Sequence, residues 1–298
     1  MINNIINNLR RCVINRNFLF CSLAVCLLCL TSTGYSQYCS DPVMIFEFLL
    51  NTKLIGQGID STGYAIFSKM NSGWFYMFAP VLAAFPFIYG YCSDISSQYT
   101  RCVIHRIGKL PFYISSVLSA MTVGGLVLTV GYALYGVIVC TVFPSLPELI
   151  SHDTESFATM VGTIYPEWYT NFLLNGNFFL PFVLHLSIMF FYGGINVLPA
   201  LIITLLSSNR YVVICVPFFL TYAYSQILMK INYAITTNFS ESLIPLWEFI
   251  SMISPTSVFN LIDSADDALV IVAIHGGFAV LLCVVFCVVL HRKVDCCA

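Results

Sequence analysis

Apolar residues in this chain occur in long stretches that few polar side chains interrupt. About 20 such residues cross a bilayer as an α-helix. Six stretches approach or exceed that length: 18–35, 74–91, 111–143, 178–206, 211–229 and 268–290. Polar residues enter the first of them at Thr31, so it is the weakest. The pattern predicts an all-α membrane protein with six transmembrane helices, in a single domain over residues 1–298.

The residues before the first stretch have the spacing of an amphipathic helix. Their apolar members recur at intervals of three and four and share one stripe. These members are Ile2, Ile5, Ile6, Leu9 and Val13. We expect an amphipathic helix within residues 1–17 that lies in the membrane interface; a frayed polar tail is the alternative. Residues 1–40 also fit a cleaved secretory signal peptide, because basic, apolar and small polar parts follow one another.

The composition excludes an ordinary water-soluble domain. Of the 298 residues, 59% are hydrophobic and 9% are charged, against about 45–50% and 25% in soluble proteins. The mean hydropathy of +0.87 agrees with this. A chain of this length has too little interior to bury so much apolar surface, so lipid must cover the rest. The formal net charge of -2 shows no basic excess, and nucleic acid is not expected as a partner.

The distribution of basic residues orients the six stretches. If the N-terminus is cytoplasmic, nine of the 12 Lys and Arg residues fall in cytoplasmic segments, and only Lys53, Lys69 and Lys230 fall outside. Cytoplasmic segments of membrane proteins carry an excess of basic residues. We therefore expect a multi-pass protein of the cell (plasma) membrane with both termini in the cytoplasm. The outer segment 231–267 is long enough to hold short extracellular helices before the last span. Its apolar run over 243–250 is too short to span, and it could dip back into the outer membrane face or pack on the ends of the spans.

The predicted spans lack the side chains that most transport and catalytic chemistry requires. None carries Asp, Glu, Lys or Arg near its middle, which argues against ion-coupled transport. His185 and His275 are expected near the outer ends of spans, within reach of water; a ligand or proton-relay role is the alternative. No zinc-protease, serine-hydrolase or P-loop motif occurs, so no metal site, catalytic residue or directly bound cofactor is expected. Seven of the 13 cysteines lie in apolar stretches, where thiols act as small hydrophobic groups.

The third span carries small residues at intervals of four, at Ser116, Ala120 and Gly124. Small residues on one face let membrane helices approach closely. We interpret this stripe as a contact between helices of the chain. A seam with a second copy and a translocation path are the alternatives.

The cytoplasmic loop between the second and third spans is the best candidate for a functional segment. A short helix can form over residues 97–106, with Arg101, His105 and Arg106 on one side. Val103 and Ile104 would then dock elsewhere on the protein. A basic loop that only fixes the orientation is the alternative. The candidate site consists of Gln98, Tyr99, Arg101, Val103, Ile104, His105, Arg106 and Lys109.

The tract over about residues 74–140 has a distinctive order of parts. An apolar span with two prolines leads to a tyrosine-containing turn, a loop with a basic end, and a helix that opens on tyrosine and serine. These parts are Trp74–Pro86, Tyr89–Tyr91, Arg106–Lys109, Tyr113–Ser116 and the pair Gly124-Gly125. The tract resembles the second and third spans of permease subunits of bacterial type-2 exporter-class ABC transporters. Ser115 and Ser116 stand where a lysine is common in that family.

The resemblance implies an assembly and a mode of action. Such permeases have six spans, pair as two membrane subunits and bind two cytoplasmic ATPase subunits. The loop between their second and third spans is a coupling helix, a role that would fall on Gln98–Lys109, and the N-terminal stripe would be their interfacial connecting helix. The implied partners are a separate ABC ATPase subunit, a second permease copy or a paralogue, and membrane lipid. ATP would act only through the partner subunit.

The expected function is therefore that of a permease subunit of an ATP-driven exporter, without enzymatic activity of its own. Three alternatives remain at this stage. They are an ion-coupled secondary carrier or channel, a non-transport membrane protein such as an immunity factor or scaffold, and an intramembrane enzyme. The residues do not identify the cargo.

Overall fold

The computed structural model describes residues 2–35, 42–51, 62–68, 73–144, 179–207, 209–238, 244–254, 257–258 and 265–296. Within these ranges the chain is mostly helical. The helices are α1 Ile2–Val13, α2 Arg16–Cys29, α3 Ile45–Leu50, α4 Gly63–Ser68, α5 Gly73–Ser96, α6 Tyr99–Ile107, α7 Lys109–Val142, α8 Phe179–Ile203, α9 Arg210–Asn238, α10 Ile244–Ile253 and α11 Ala265–Cys296. Two short strands that were not predicted, β1 Thr33–Tyr35 and β2 Pro42–Met44, pair antiparallel.

Five of the described helices are long and apolar enough to cross a membrane. Their spanning parts are Trp74–Ser96, Lys109–Val142, Phe179–Ile203, Arg210–Ile235 and Leu269–Arg292. These correspond to the second to sixth predicted spans. The prediction of an all-α, multi-pass membrane protein is therefore confirmed at the level of helix length and composition.

The first predicted span is different in the structure. Instead of running over 18–35, α2 has 14 residues and ends at Cys29. At 1.5 Å per residue it is about 21 Å long, short of the roughly 30 Å of hydrocarbon in a bilayer. The Thr31 hydroxyl donates to the Leu28 carbonyl at 2.6 Å, and the Ser32 hydroxyl donates to the Cys29 carbonyl. These bonds cap the helix, and the chain continues into β1.

Helices α1 and α2 meet at an angle of 63°, and only as one bent pair do they reach the length of a sixth span. The break follows from Asn15, whose side chain accepts a hydrogen bond from the backbone of Asn17 at 3.2 Å and so starts α2 as a new helix. The amphipathic helix expected within residues 1–17 therefore ends at Val13.

Several spans extend beyond the predicted limits. α5 continues from Tyr91 to Ser96, and α9 continues through Lys230 to Asn238 instead of ending at Met229. A charged residue ends an apolar stretch but does not end a helix, because its long stem can carry the charge to the surface. Lys230 is exposed, in agreement with this.

α7 is the central helix and contacts α1, α2, α4, α5, α6, α8 and α11. Its closest contacts lie at glycines. A Cβ on Gly193 of α8 would lie 2.5 Å from the carbonyl oxygen of Gly124, and a Cβ on Gly131 would lie 2.5 Å from that of Ser22 in α2. The helix backbones therefore touch where a side chain would separate them.

Burial divides the long helices into two groups. In α5, α7 and α8, between 56% and 61% of the most apolar window is buried within the chain. In α9 and α11 only 22% is buried. Most of the surface of α9 and α11 is thus left for lipid or for another chain to cover.

Candidate functional site

The short helix predicted between the second and third spans is present as α6. Gln98 precedes it with a φ of 60°, and Gly108 separates it from α7 with a φ of 88°. Glycine adopts such positive φ values without the steric cost that a Cβ would add. α6 is therefore held by two tight turns between the end of α5 and the start of α7, with no flexible linker on either side.

α6 presents one side to the bundle and the other side outwards. Ile104 and Thr100 are buried, and Val103 packs half-buried against the core. The remaining members of the predicted site are exposed: Gln98, Tyr99, Arg101, His105, Arg106 and Lys109. The exposed surface of α6 is consequently basic, and its apolar residues fix it to the protein.

α1 is tied to the same end of the bundle as α6. The Arg11 guanidinium donates from Nη1 to Oδ2 of Asp94 at 2.7 Å and from Nη2 to Oδ1 at 2.9 Å. The hydrogen bond to Asp94 raises the pKa of Arg11 above its usual value, and partial burial opposes this. In addition, Asn4 Nδ2 donates to the Ser115 hydroxyl on α7 at 2.6 Å. Part of the polar face of α1 thus contacts the protein, while Ile2 and Ile6 of the apolar stripe are exposed.

A polar cavity of about 130 Å³ lies where α1, α5, α6 and α7 meet. We call this region the polar junction. Its lining includes Asn4, Asn8, Arg11, Asp94 and Thr100. The buried Thr100 hydroxyl has no hydrogen-bond partner among the described residues. Residues of α6, of the N-terminal helix and of two spans therefore line one cavity.

The start of α9 lies at the same end of the bundle. The guanidinium carbon of Arg210 is 4.8 Å from the centroid of the Tyr89 ring, which is the geometry of a cation–π contact. Tyr89 lies near the end of α5, about one and a half turns before Asp94 on the same helix. Basic residues from α1, α6 and α9 are therefore gathered at one end of the bundle.

The stripe of small residues on α7 is buried within the chain. Ser116 and Ala120 are 1% and 0% exposed, and the Ser116 hydroxyl donates to the Phe112 carbonyl at 2.9 Å. A Cβ on Gly124 would lie 2.2 Å from Cγ2 of Val197 and 3.0 Å from the carbonyl oxygen of Gly193. These residues pack between helices of the same chain and offer no surface to a second copy.

The two histidines in the spans were expected within reach of water, but both are buried. His185 is 9% exposed and His275 is 3% exposed. Nδ1 of His185 lies 2.9 Å from the Pro181 carbonyl, and Nε2 of His275 lies 3.0 Å from the Ser257 hydroxyl. In the described part of the chain, no group of three or more His, Cys, Asp or Glu side chains could hold a metal ion. Each histidine instead makes a local hydrogen bond.

One cysteine pattern has a spacing that can indicate redox or metal chemistry. Cys26 and Cys29 form a C-x-x-C pair in α2. Their exposed fractions are 5% and 0%, and both thiols are free. Buried in an apolar helix, they pack as small hydrophobic groups.

The contacts of α1 were not predicted, because the partners lie far apart in the sequence. Arg11 and Asp94 are 83 residues apart, and Asn4 and Ser115 are 111 residues apart. The asparagines between the isoleucines of α1 were the only signal, since a helix that only lies on lipid has no need of them.

No protein-family model, curated protein or solved structure matches this chain.

Proposed function

We propose that this chain is the membrane-spanning permease subunit of an ATP-driven exporter and that α6 is its coupling helix. The observation that supports this most directly is the two-sided character of α6. Arg101, His105 and Arg106 are exposed, whereas Ile104 is buried against the bundle. A separate ATPase subunit with an acidic docking surface would supply the ATP hydrolysis for which this chain has no P-loop motif.

The proposal includes an orientation in the plasma membrane. α1, α6 and the start of α9 lie in the cytoplasm, as do both termini, because basic residues are retained on that side. The grouping of Arg11, Arg106 and Arg210 at one end of the bundle supports this arrangement. The exposed Ile2 and Ile6 would contact lipid at the cytoplasmic interface, which makes α1 the interfacial helix.

The mechanism follows from the way α6 is attached. ATP binding would draw the partner ATPases together and displace α6. Because the chain turns tightly at Gln98 and Gly108, a displacement of α6 would pass directly to α5 and α7. Both of these helices contact α1, which would therefore move as well. A second permease copy would pair with this one, and the movement would open a path between the two copies.

The first experiment tests whether an ATPase binds at α6. A tagged chain is purified in mild detergent from its own cells, and ATP hydrolysis and the accompanying proteins are measured. Arg106→Glu reverses one charge on the exposed side of α6, where it should repel an acidic surface, and we expect loss of the ATPase. Arg292→Glu is the matched control, since Arg292 is exposed near the end of α11 and lies outside α6.

The outcomes separate the proposal from its alternatives. An ATPase that accompanies the wild-type chain and the Arg292→Glu variant but not the Arg106→Glu variant supports coupling through α6. Equal recovery with all three chains contradicts the role of α6. A wild-type chain without any ATPase, in cells that express it from its own promoter, contradicts the exporter function itself and favours a non-transport role.

A further inference from the structure

A second cavity, of about 220 Å³, lies between α8, α9, α10 and α11. We call it the proline cavity, because Pro199 of α8 and Pro217 of α9 both line it. A proline inside a helix removes one backbone hydrogen bond and bends the helix, which keeps neighbouring helices from packing closely. Apolar side chains form much of the remaining wall, namely Ile195, Leu220, Ile253, Ile274 and Phe278.

Most of the polar side chains in the wall make hydrogen bonds within the protein. Four of them use a polar atom in this way. The bonds are Asn196 Nδ2 to the Tyr192 carbonyl at 2.8 Å, Thr221 Oγ1 to the Pro217 carbonyl at 2.8 Å, Tyr224 Oη to the Ile250 carbonyl, and His275 Nε2 with the Ser257 hydroxyl at 3.0 Å. A cavity of this kind attracts little water, because a buried water needs two to four polar partners.

The proline cavity lies beside the middle of α9. Tyr224 is the central residue of α9, which runs from Arg210 to Asn238. Its bond to Ile250 brings the last turns of α10 to that level. Leu220 and Phe278 stand at the open side of the cavity and are 52% and 46% exposed. The cavity therefore opens sideways between α9 and α11, the two long helices that are least buried within the chain.

We infer that the proline cavity binds the hydrocarbon chain of a membrane lipid, which enters sideways between α9 and α11. The cavity is larger than an apolar cavity of about 150 Å³ that binds benzene in another protein, so a chain segment can fit. Filling it restores the dispersion contacts that its walls would lack if it were empty. This inference depends on the cavity alone and does not require the exporter function.

The test uses the purified full-length chain in phosphatidylcholine vesicles, without any ATPase. A phospholipid that carries a diazirine near the end of one acyl chain is the photolabel, and labelled peptides are located by mass spectrometry. We expect labelling at residues 195–199, 217–224 and 274–278 that saturates as the mole fraction of the probe rises. Labelling of lipid-exposed positions such as Leu269 and Val280 should rise in proportion instead.

Two variants that fill the cavity from different walls provide the controls. Ile274→Trp on α11 and Thr221→Phe on α9 should each lower labelling of the cavity by about ten-fold, the equivalent of losing about two methylene groups from apolar contact. Val272→Trp and Ala223→Phe lie on exposed sides of the same helices and should leave it unchanged. Each variant is compared with the wild type by its melting temperature.

Three results would overturn the inference. One is labelling of the cavity peptides that rises in proportion to the probe without saturating. Another is labelling that persists in both filled variants. The third is a cavity that becomes labelled only after a dimer is dissociated, which would show that a side chain of a second copy occupies it. Because wild-type saturation needs no substitution, a variant that fails to fold does not prevent the decision.

Discussion

Arg11 on α1 holds Asp94 on α5 through two parallel hydrogen bonds of 2.7 and 2.9 Å. The Arg11 side chain is 55% exposed and that of Asp94 is 23% exposed. An exposed pair of this kind contributes about 0.2–1 kcal/mol to stability. That is too little to hold the fold together, but it is enough to shift the position of a 12-residue helix that is too short to be stable alone. The pair therefore acts on the placement of α1.

We predict that Arg11→Glu releases α1 from the bundle, because two carboxylates then face each other at the polar junction. The adjacent Cys12 reports the change. It is buried in the intact chain, and burial raises its pKa to about 11, so little reactive thiolate forms at pH 8. Release exposes the thiol and returns its pKa toward the ordinary value. Maleimide labelling of Cys12, measured by mass spectrometry, should rise several-fold.

The controls for this prediction come from the same segment and from α6. Arg10→Glu changes an exposed neighbour that forms no ion pair among the described residues, and it should leave Cys12 unlabelled. The exchange Arg11→Glu with Asp94→Arg should restore protection. Cys102 on α6 is exposed and should be labelled equally in every chain. Unchanged Cys12 labelling in Arg11→Glu would show that the pair does not place α1.

A second prediction concerns the contact between α7 and α8. Gly193→Ala puts a methyl group 2.5 Å from the Gly124 carbonyl oxygen, a backbone atom that cannot rotate away. The two helices must separate, and we expect a loss of roughly 1–3 kcal/mol, as for other overpacked sites. The melting temperature in detergent should fall by several degrees.

Gly277→Ala is the matched control for this contact. Gly277 lies in α11 and nothing stands within 4 Å of the position that a Cβ would take. Alanine favours a helix over glycine by about 0.5–1 kcal/mol, so the melting temperature should stay equal or rise. Equal falls in both variants would mean that the close approach of Gly124 and Gly193 does not determine stability.

The accuracy of the sequence predictions depended on the range of the interactions involved. The long apolar helices and α6 follow from local patterns, and they were predicted. The end of α2 was not, because it depends on hydrogen bonds from Thr31 and Ser32 that hydropathy does not register. The extension of α9 through Lys230 was not predicted either, because hydropathy measures composition and not the continuity of a helix. The polar junction and the proline cavity each join four helices, and no pattern within one helix indicates such a meeting.

The last prediction concerns the short helix α10. Its final turn has carbonyl groups that no further helical turn satisfies. Where water does not reach these carbonyl groups, side chains must bind them. The Tyr224 hydroxyl donates to the Ile250 carbonyl. The single proton of the Ser257 hydroxyl faces the Met252 and Ser254 carbonyls, and Oγ lies 2.8 Å from both of these oxygens.

We predict that Tyr224→Phe loosens α10, because the Ile250 carbonyl, which also accepts from the Ser254 backbone N–H at 3.2 Å, then loses its side-chain hydrogen bond, worth about 0.5–1.5 kcal/mol. Hydrogen exchange of the peptide over residues 244–254 should accelerate by about two- to ten-fold, since 1.4 kcal/mol corresponds to a factor of ten. Tyr222→Phe on the same helix is the control. Its ring stacks on Phe218 with centroids 6.2 Å apart, and that contact does not need the hydroxyl. If both variants exchange at the wild-type rate, the Tyr224 bond does not hold α10 at the level of the proline cavity.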